Sequence, residues 1–273
     1  MNHPDTGRLL YAYAVARDTP ALGAVALRTV TGVAGEPVRT VRHQDLTALV
    51  GAVDAADFGE RALRAHLEEL SWLESTARAH QRVVDAAGAT GTCVLPLRLA
   101  TVYRDEASVR AMLQERSTHL AATLRRLDGR VEWGVKVHAR TPEAAPSAPR
   151  APTSGRDYLR RRISARRAHE EDARRAEETA HAIHAALTAL AEETRLYPPQ
   201  HTGLSGRPGR NLLNAAYLVP RTAGDRFTAA VARLTGSAPA DGAEVELTGP
   251  WAPYSFAGTG DAVTAQGTAG EPS

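Results

Sequence analysis

The sequence predicts an α+β protein of two domains, an N-terminal α+β unit over residues 1–128 and a C-terminal unit over residues 129–257, with a tail at 258–273. Three observations lead there. A chain of 273 residues suits one large or two medium domains. Hydrophobic periodicity changes along the chain between that of strands and that of helices. The stretch Gly129-Arg-Val-Glu-Trp-Gly-Val-Lys-Val-His138 alternates Val131, Trp133, Val135 and Val137 with Glu132, Lys136 and His138, the pattern of a strand with one buried face. It lies between a helical run and a linker that leads into the longest helix-compatible stretch, so it opens the second domain.

The elements follow in order. Leu9–Ala16 is a short apolar run bounded by Gly7 and by Asp18-Thr-Pro20, and reads as a buried strand. Gly23–Val30 and Leu46–Val53 read as two more, separated by turn material at Gly32–Pro37. From Glu60 to Ala87 the period becomes helical, with Leu63, Leu67, Leu70, Leu73, Ala77 and Val84 on one side. Gly88 and Gly91 end that helix. Thr92–Tyr103 is apolar enough for a strand, and Pro96 assigns it to an edge or a bulge because proline cannot donate to the ladder. Asp105, or alternatively Ser108, caps the next helix. Its apolar face is Val109, Met112, Leu113, Leu120, Leu124 and Leu127, and Gly129 stops it.

Thr141–Gly155 is rich in Pro, Ala and Ser and reads as a flexible linker or insertion. Asp157–Leu196 is helix-compatible throughout. Leu159, Ile163, Ala173, Ala176, Ala180, Ile183, Leu187 and Leu190 form a narrow seam along it. Such a helix is about 60 Å long at ~1.5 Å per residue, so it either breaks or sends one end outward. Tyr197-Pro-Pro199 stops it. Asn211–Pro220 reads as a strand, Arg226–Leu234 as a short helix with Phe227, Val231 and Leu234 inward, and Ala243–Gly249 as a strand. With a weak segment around Thr202 counted as a strand, the second domain runs βαββαβ, the ferredoxin-like order. Trp251, Tyr254 and Phe256 follow among prolines and either cover a sheet edge or present a binding patch. Gly258–Ser273 has the composition of a disordered tail.

Composition bounds the function. The formal net charge of +2 is no nucleic-acid-binding balance. A single cysteine, Cys93, excludes an internal disulfide framework and fits a reducing compartment. The first residues lack the basic and apolar regions of a signal peptide, and no stretch approaches the ~18 apolar residues of a membrane span. The expectation is a cytoplasmic protein without membrane contact. Lys136 is the only lysine among the 33 lysine and arginine residues, which hints at a place where a compact ammonium is preferred to a guanidinium fork.

Reactive constellations are scarce. The sequence has no GxxxxGK[ST], no GxGxxG after a strand, no HExxH and no GxSxG. Gly203-Leu-Ser-Gly-Arg-Pro-Gly209 reads as a plain loop in preference to a phosphate cradle. His181 and His184 have metal-compatible i, i+3 spacing, but no cysteine or carboxylate cluster joins them nearby, which favours a solvated helix face. Cys93 reads as a small buried hydrophobe. His80 and Glu74 share a helix and would form an acid/base pair only inside a cleft. Arg160-Arg-Arg-Ile-Ser-Ala-Arg-Arg167 is basic, but Glu170, Glu171, Asp172, Glu177 and Glu178 follow at once, which favours a solvated charged face or a protein-docking surface over a polyelectrolyte site. The residues thus describe a non-catalytic interaction protein, with no cofactor.

Several motifs occur together in a telling order: Leu10-Tyr-Ala-Tyr13, His80-Gln-Arg-Val-Val84, Val94-Leu-Pro-Leu-Arg-Leu-Ala-Thr-Val102, Gly129–Val137, Gly155-Arg-Asp-Tyr-Leu-Arg-Arg161, Asn214-Ala-Ala-Tyr-Leu-Val219 and Thr248-Gly-Pro-Trp-Ala-Pro-Tyr-Ser-Phe256. Across Leu9–Phe256 the chain resembles the GvpF/GvpL family of gas vesicle proteins, in an arginine- and alanine-rich, actinobacterial-type form. Ala100 stands where that pattern expects glycine, and Thr141–Gly155 resembles a lineage insertion. The resemblance implies a modified ferredoxin-like C-terminal domain, no catalysis and no cofactor. It also implies a minor gas vesicle or assembly component that contacts the shell protein GvpA and other accessory Gvp proteins. A physical role follows: masking the apolar surfaces of GvpA against premature self-association. The expected contact residues are Glu132, Lys136, Arg160, Arg161, Arg167, Trp251, Tyr254 and Phe256. The competing expectation is a nucleotide- or metal-binding enzyme on a ferredoxin-like scaffold, since fold does not fix function.

Overall fold

The computed structural model describes residues 7–23, 27, 29–140, 155–198, 209–238 and 242–258. The chain divides into two compact units, one of residues 1–128 with 252–273 and the other of residues 129–251. The linker and most of the tail anticipated from composition lie outside the described residues, as does the glycine-rich loop except for Gly209. The first division falls at Asp128/Gly129, and Ala252–Ala257 goes with the N-terminal unit, whereas the sequence reading kept it with the C-terminal one.

The N-terminal unit is built on an antiparallel sheet of β1 (Arg8–Arg17), β2 (Val38–His43), β3 (Leu46–Asp54), β4 (Val94–Pro96) and β5 (Val102–Tyr103). The order is β2-β3-β1-β4, with β5 also paired to β1. β1 is central because every residue from Tyr11 to Ala16 is buried, as an apolar run without alternation requires. The strand expected at Gly23–Val30 is not the partner of β3. Residues 20–23 form a 3₁₀ turn, residues 24–26 and 28 lie outside the described set, and the pairing strand is β2. Arginines at 39 and 42 disguise it, yet Val38, Thr40 and Val41 are β-branched, and the exposed arginines suit an edge. Gln44, in the left-handed region at φ 53°, turns β2 into β3.

Helices cover this sheet: α1 (Ala55–Phe58), α2 (Glu60–His66), α3 (Leu70–Gly88), α4 (Glu106–Glu115) and α5 (Ser117–Leu127). The single helix expected from Glu60 to Ala87 breaks between His66 and Leu70, and both Leu67 and Leu70 are exposed instead of sharing the apolar stripe. The helix expected over 106–127 breaks at Arg116. Asp105 caps its start as anticipated, accepting from the Ser108 N–H at 2.7 Å. The Thr92–Tyr103 strand is realised only at its ends, and between them Ala100 adopts φ 62°. That is the position where the sequence pattern expects glycine, and the backbone explains why.

The C-terminal unit runs β6 (Arg130–Ala139), α6 (Gly155–Thr188), β7 (Glu193–Leu196), β8 (Asn211–Pro220), α7 (Gly224–Ser237) and β9 (Ala243–Trp251). Its sheet order, β7-β8-β6-β9, with antiparallel neighbours throughout, is the ferredoxin-like βαββαβ arrangement. The second strand sits at Glu193–Leu196, not around Thr202. The long helix therefore ends at Thr188, and what looked like its last turns is strand. Val131, Trp133, Val135 and Val137 face the helices, where they pack with Ala180, Ile183, Leu187, Tyr217 and Phe227.

Gly249 is a point of close approach. At φ 119°, a Cβ would lie 2.8 Å from the Glu132 carbonyl oxygen and 3.1 Å from Trp133 Cε3. Its neighbours are backbone and a buried ring, which cannot swing aside. Gly249→Ala is expected to cost about 1–3 kcal/mol and to lower the melting temperature. Gly236→Ala, in α7 with open space around it, is expected to change stability in the opposite direction. Equal melting temperatures for the two variants would contradict this account.

Candidate partner-binding surface

α6 spans 34 residues, about 51 Å at ~1.5 Å per residue, and its two halves differ in kind. From Ala176 onward it is a packed helix: Ala176, Ala180, Ile183 and Leu187 are buried at alternating spacings of four and three. The Nδ1 of His184 lies 2.8 Å from the Tyr217 hydroxyl, and Arg210 donates to Glu177, which holds the Glu177 carboxyl below the usual range. The two histidines thus separate, since His181 Nδ1 instead meets the Glu177 carbonyl at 2.8 Å. Among the described residues no group of three or more His, Cys, Asp or Glu is placed to hold a metal ion.

The first half is different. Every described side chain from Arg156 to Asp172 is exposed, over about five turns. Leu159 and Ile163 are 58% and 53% exposed. They do not continue the buried seam: at ~100° per residue they sit roughly 100–140° around the helix from Ala176. The seam inferred from the sequence merged two stripes of different phase. Ile163 and Ala173, ten residues apart, differ by about 80° around the helix, which marks the break between the two stripes.

The arginines differ in what they meet within the helix. Arg166 pairs with Glu170 at 2.7 Å, Arg174 with Glu178 at 3.7 Å, and Arg175 with Asp172, while Arg162 reaches the Tyr158 hydroxyl at 3.5 Å. Arg156, Arg160 and Arg167 are turned toward the side of Leu159 and Ile163, where they line one shallow depression. Among the described residues these three have no acidic partner within salt-bridge distance. Of this group, Arg160 and Arg167 belong to the contact set expected from the sequence, Leu159 and Ile163 to the expected apolar seam, and Arg156 to neither.

The remaining expected contact residues scatter. Arg161 is exposed on α6. Lys136 is half-buried on β6, in register with Asn214 and Glu246. Trp251, 39% exposed, ends β9, while Tyr254 is half-buried against the core of the N-terminal unit. Glu132 and Phe256 are buried, so neither offers a surface to a partner. The Arg126 guanidinium donates to the Phe256 carbonyl oxygen at 2.5 Å, and the ring fills the interior.

A second polar cluster is internal to the N-terminal unit. The Ala100 N–H donates to the Tyr11 oxygen at 3.0 Å, which leaves the hydroxyl proton for His80 Nδ1, also at 3.0 Å. Tyr13 donates to Glu36 at 2.5 Å and accepts from the Val33 N–H at 2.9 Å. Gly32 and Gly51 leave the space that the Glu36 side chain occupies. Burial raises the pKa of both tyrosines and pushes His80 down to about 4, partly offset by the Leu97 backbone. Glu74, which shares the helix with His80, pairs with Arg78 on the exposed face of α3. The arrangement is a polar core in which both tyrosine hydroxyls and His80 Nδ1 are paired.

These features define a two-sheet α+β protein whose second unit is ferredoxin-like and whose distinctive exposed feature is a basic, partly apolar helix. The family described as gas vesicle synthesis protein GvpL/GvpF matches residues 9–258. Gas vesicle protein L of Streptomyces sp. (strain CB03234) is 49% identical over 93% of this chain and 94% of its own length. Gas vesicle protein F of the same strain is 31% identical over 90% and 98%. The crystal structure of GvpF from Anabaena sp. PCC7120 superimposes with a TM-score of 0.64 at 19% identity, covering 92% of this chain and 96% of that one. GvpF from Microcystis aeruginosa gives 0.62 at 18%, covering 91% and 98%. The chain belongs to the GvpL/GvpF family, a gas vesicle accessory family and not a known enzyme family.

Proposed function

We propose that this chain is a minor gas vesicle component or assembly factor that binds the shell protein GvpA and other accessory Gvp proteins, and limits GvpA aggregation while vesicles nucleate and grow. Its proposed location is the cytoplasm and the growing gas vesicle. Family membership supports the vesicle role. The observation that supports binding is the exposed first half of α6, where arginine and aliphatic side chains share one face. A shell subunit must be delivered without pairing prematurely through its apolar surfaces. A helix offering two aliphatic side chains within a cationic frame masks such a surface reversibly. No helix among the described residues is long and apolar enough to cross a membrane, and the mechanism requires none. Arg160, Arg161, Arg167 and Trp251 are the accessible members of the proposed contact set.

Co-expression with GvpA, followed by affinity capture and sedimentation of the insoluble fraction, tests this reading. Co-purification together with a smaller GvpA pellet is the expected result. A folded chain that neither captures GvpA nor changes its solubility would remove GvpA as the partner.

A further inference from the structure

We infer that the stripe formed by Leu159 and Ile163 with Arg156, Arg160 and Arg167 docks an acidic amphipathic helix of a partner protein. This rests on the assembly reading for its biological setting, but its chemistry comes from α6 alone. Leu159 and Ile163 stand one turn apart, the spacing that packs into the groove of a second helix. Holding two aliphatic side chains more than half exposed leaves apolar area that a partner would remove from water.

The charges specify the sign of that partner. Nearer the packed half of α6, Arg166, Arg174 and Arg175 are neutralised by carboxylates three or four residues away, whereas Arg156, Arg160 and Arg167 have no such partner among the described residues. They span Arg156 to Arg167, about three turns, and the positive run ends at Glu170, Glu171 and Asp172. An acidic helix of similar length fits that frame. Carboxylates flanking its apolar ridge would meet Arg156, Arg160 and Arg167 as leucine or isoleucine meets Leu159 and Ile163.

Other occupants fit less well. Residues 141–154 contain one acid, Glu143, and no large aliphatic or aromatic side chain, and residues 199–208 contain no acid. A second copy packed antiparallel about Ile163 would set Arg160 against Arg166 and Leu159 against Arg167. Polyphosphate backbones and anionic bilayers offer charge over a wider area, which the adjoining acidic block repels. A bilayer would also require a broader apolar face than two side chains.

The probe is a designed 18-residue helical peptide with leucines at i, i+3 and i+7 and glutamates beside them, titrated against the full chain by fluorescence anisotropy at several salt concentrations. The control peptides carry lysine for glutamate, or the same residues in scrambled order. Binding of the acidic peptide at least tenfold tighter than either control, weakening with salt, is expected. The triple variant R156E/R160E/R167E and the pair Leu159→Ser/Ile163→Ser should each lose at least tenfold. All five positions are exposed, so the melting curves should match that of the parent chain.

Equal binding of the lysine or scrambled peptide would overturn the proposal, as would unchanged binding by the triple variant. So would a dimer of the parent chain that the triple variant dissolves, or tighter binding to duplex DNA or phosphatidylserine vesicles that survives Leu159→Ser/Ile163→Ser. GvpA capture separates the two levels. Capture by the parent chain that the triple variant retains would sink this docking site and leave the assembly reading intact. Peptide binding without any capture of GvpA would uphold the site and remove GvpA as the partner.

Discussion

Phe227→Ala is expected to destabilise the C-terminal unit by about 3–5 kcal/mol, the usual cost of removing a fully buried phenyl ring. Phe227 has no exposed surface, and its ring lies 6.1 Å from that of Trp133 and 5.6 Å from that of Tyr217. These three rings join α7 to β6 and β8, and most of their remaining neighbours are Ala, Val and Leu. Small side chains held by a sheet cannot slide far enough to fill the vacated volume, so a cavity remains. Phe227→Leu keeps much of the volume and should cost less than about 1.5 kcal/mol. Denaturant titration of both variants measures the difference. A loss below about 1 kcal/mol for the alanine variant would mean that the layer collapses around the deletion.

Acidification should destabilise the N-terminal unit through His80. Its folded pKa lies near 4 because burial disfavours the charged ring, whereas in the unfolded chain it sits near the ordinary ~6.5. Between those values the unfolded state binds a proton that the folded state refuses. The contribution is therefore fully present above about pH 6.5 and falls steadily toward pH 4. At ~1.4 kcal/mol per pKa unit the loss reaches about 3 kcal/mol. Tyr11, Tyr13 and Tyr254 face the ring, and the two tyrosines of β1 stay protonated because burial raises their pKa. Stability of the parent chain and of His80→Gln, compared from pH 7 to pH 4, isolates the effect. The parent should lose stability more steeply over that window. Parallel curves would mean that His80 protonates as easily in the folded chain as in the unfolded one.

The C-terminal architecture was legible because its strands announce themselves. β6 alternates cleanly and β8 is a continuous apolar run, and both appear within a residue of the expected bounds. β7 was hidden because Glu193-Thr-Arg-Leu196 extends a charged helical pattern without interruption. Only its pairing with β8 marks it as a strand. β2 was hidden for a related reason: its arginines point outward from an edge, where charge protects against stray pairing but masks the alternation. In the candidate site the arginine run was visible, but its useful subset was not. Whether a guanidinium is already neutralised depends on which carboxylate lies one turn away, and Arg160 and Arg166 look alike in a string of letters. Phe256 misled in the opposite direction, since an aromatic beside prolines near a polar tail gives no local sign that it returns to fill an interior.

That return changes the order in which the protein can be completed. The N-terminal unit draws on residues 1–128 and again on residues from 252 onward, with all of the C-terminal unit between them. On the ribosome, the unit that is started first is finished last. At ~5–20 residues per second, roughly 6–25 s separate synthesis of Asp128 from that of Phe256. During that interval the α3–β1 core waits for Ala252 and Tyr254, which pack against it in the finished protein. The C-terminal unit, contiguous in sequence, has no such delay. A ribosome stalled anywhere between residues 129 and 251 therefore holds an N-terminal unit that lacks part of its own interior.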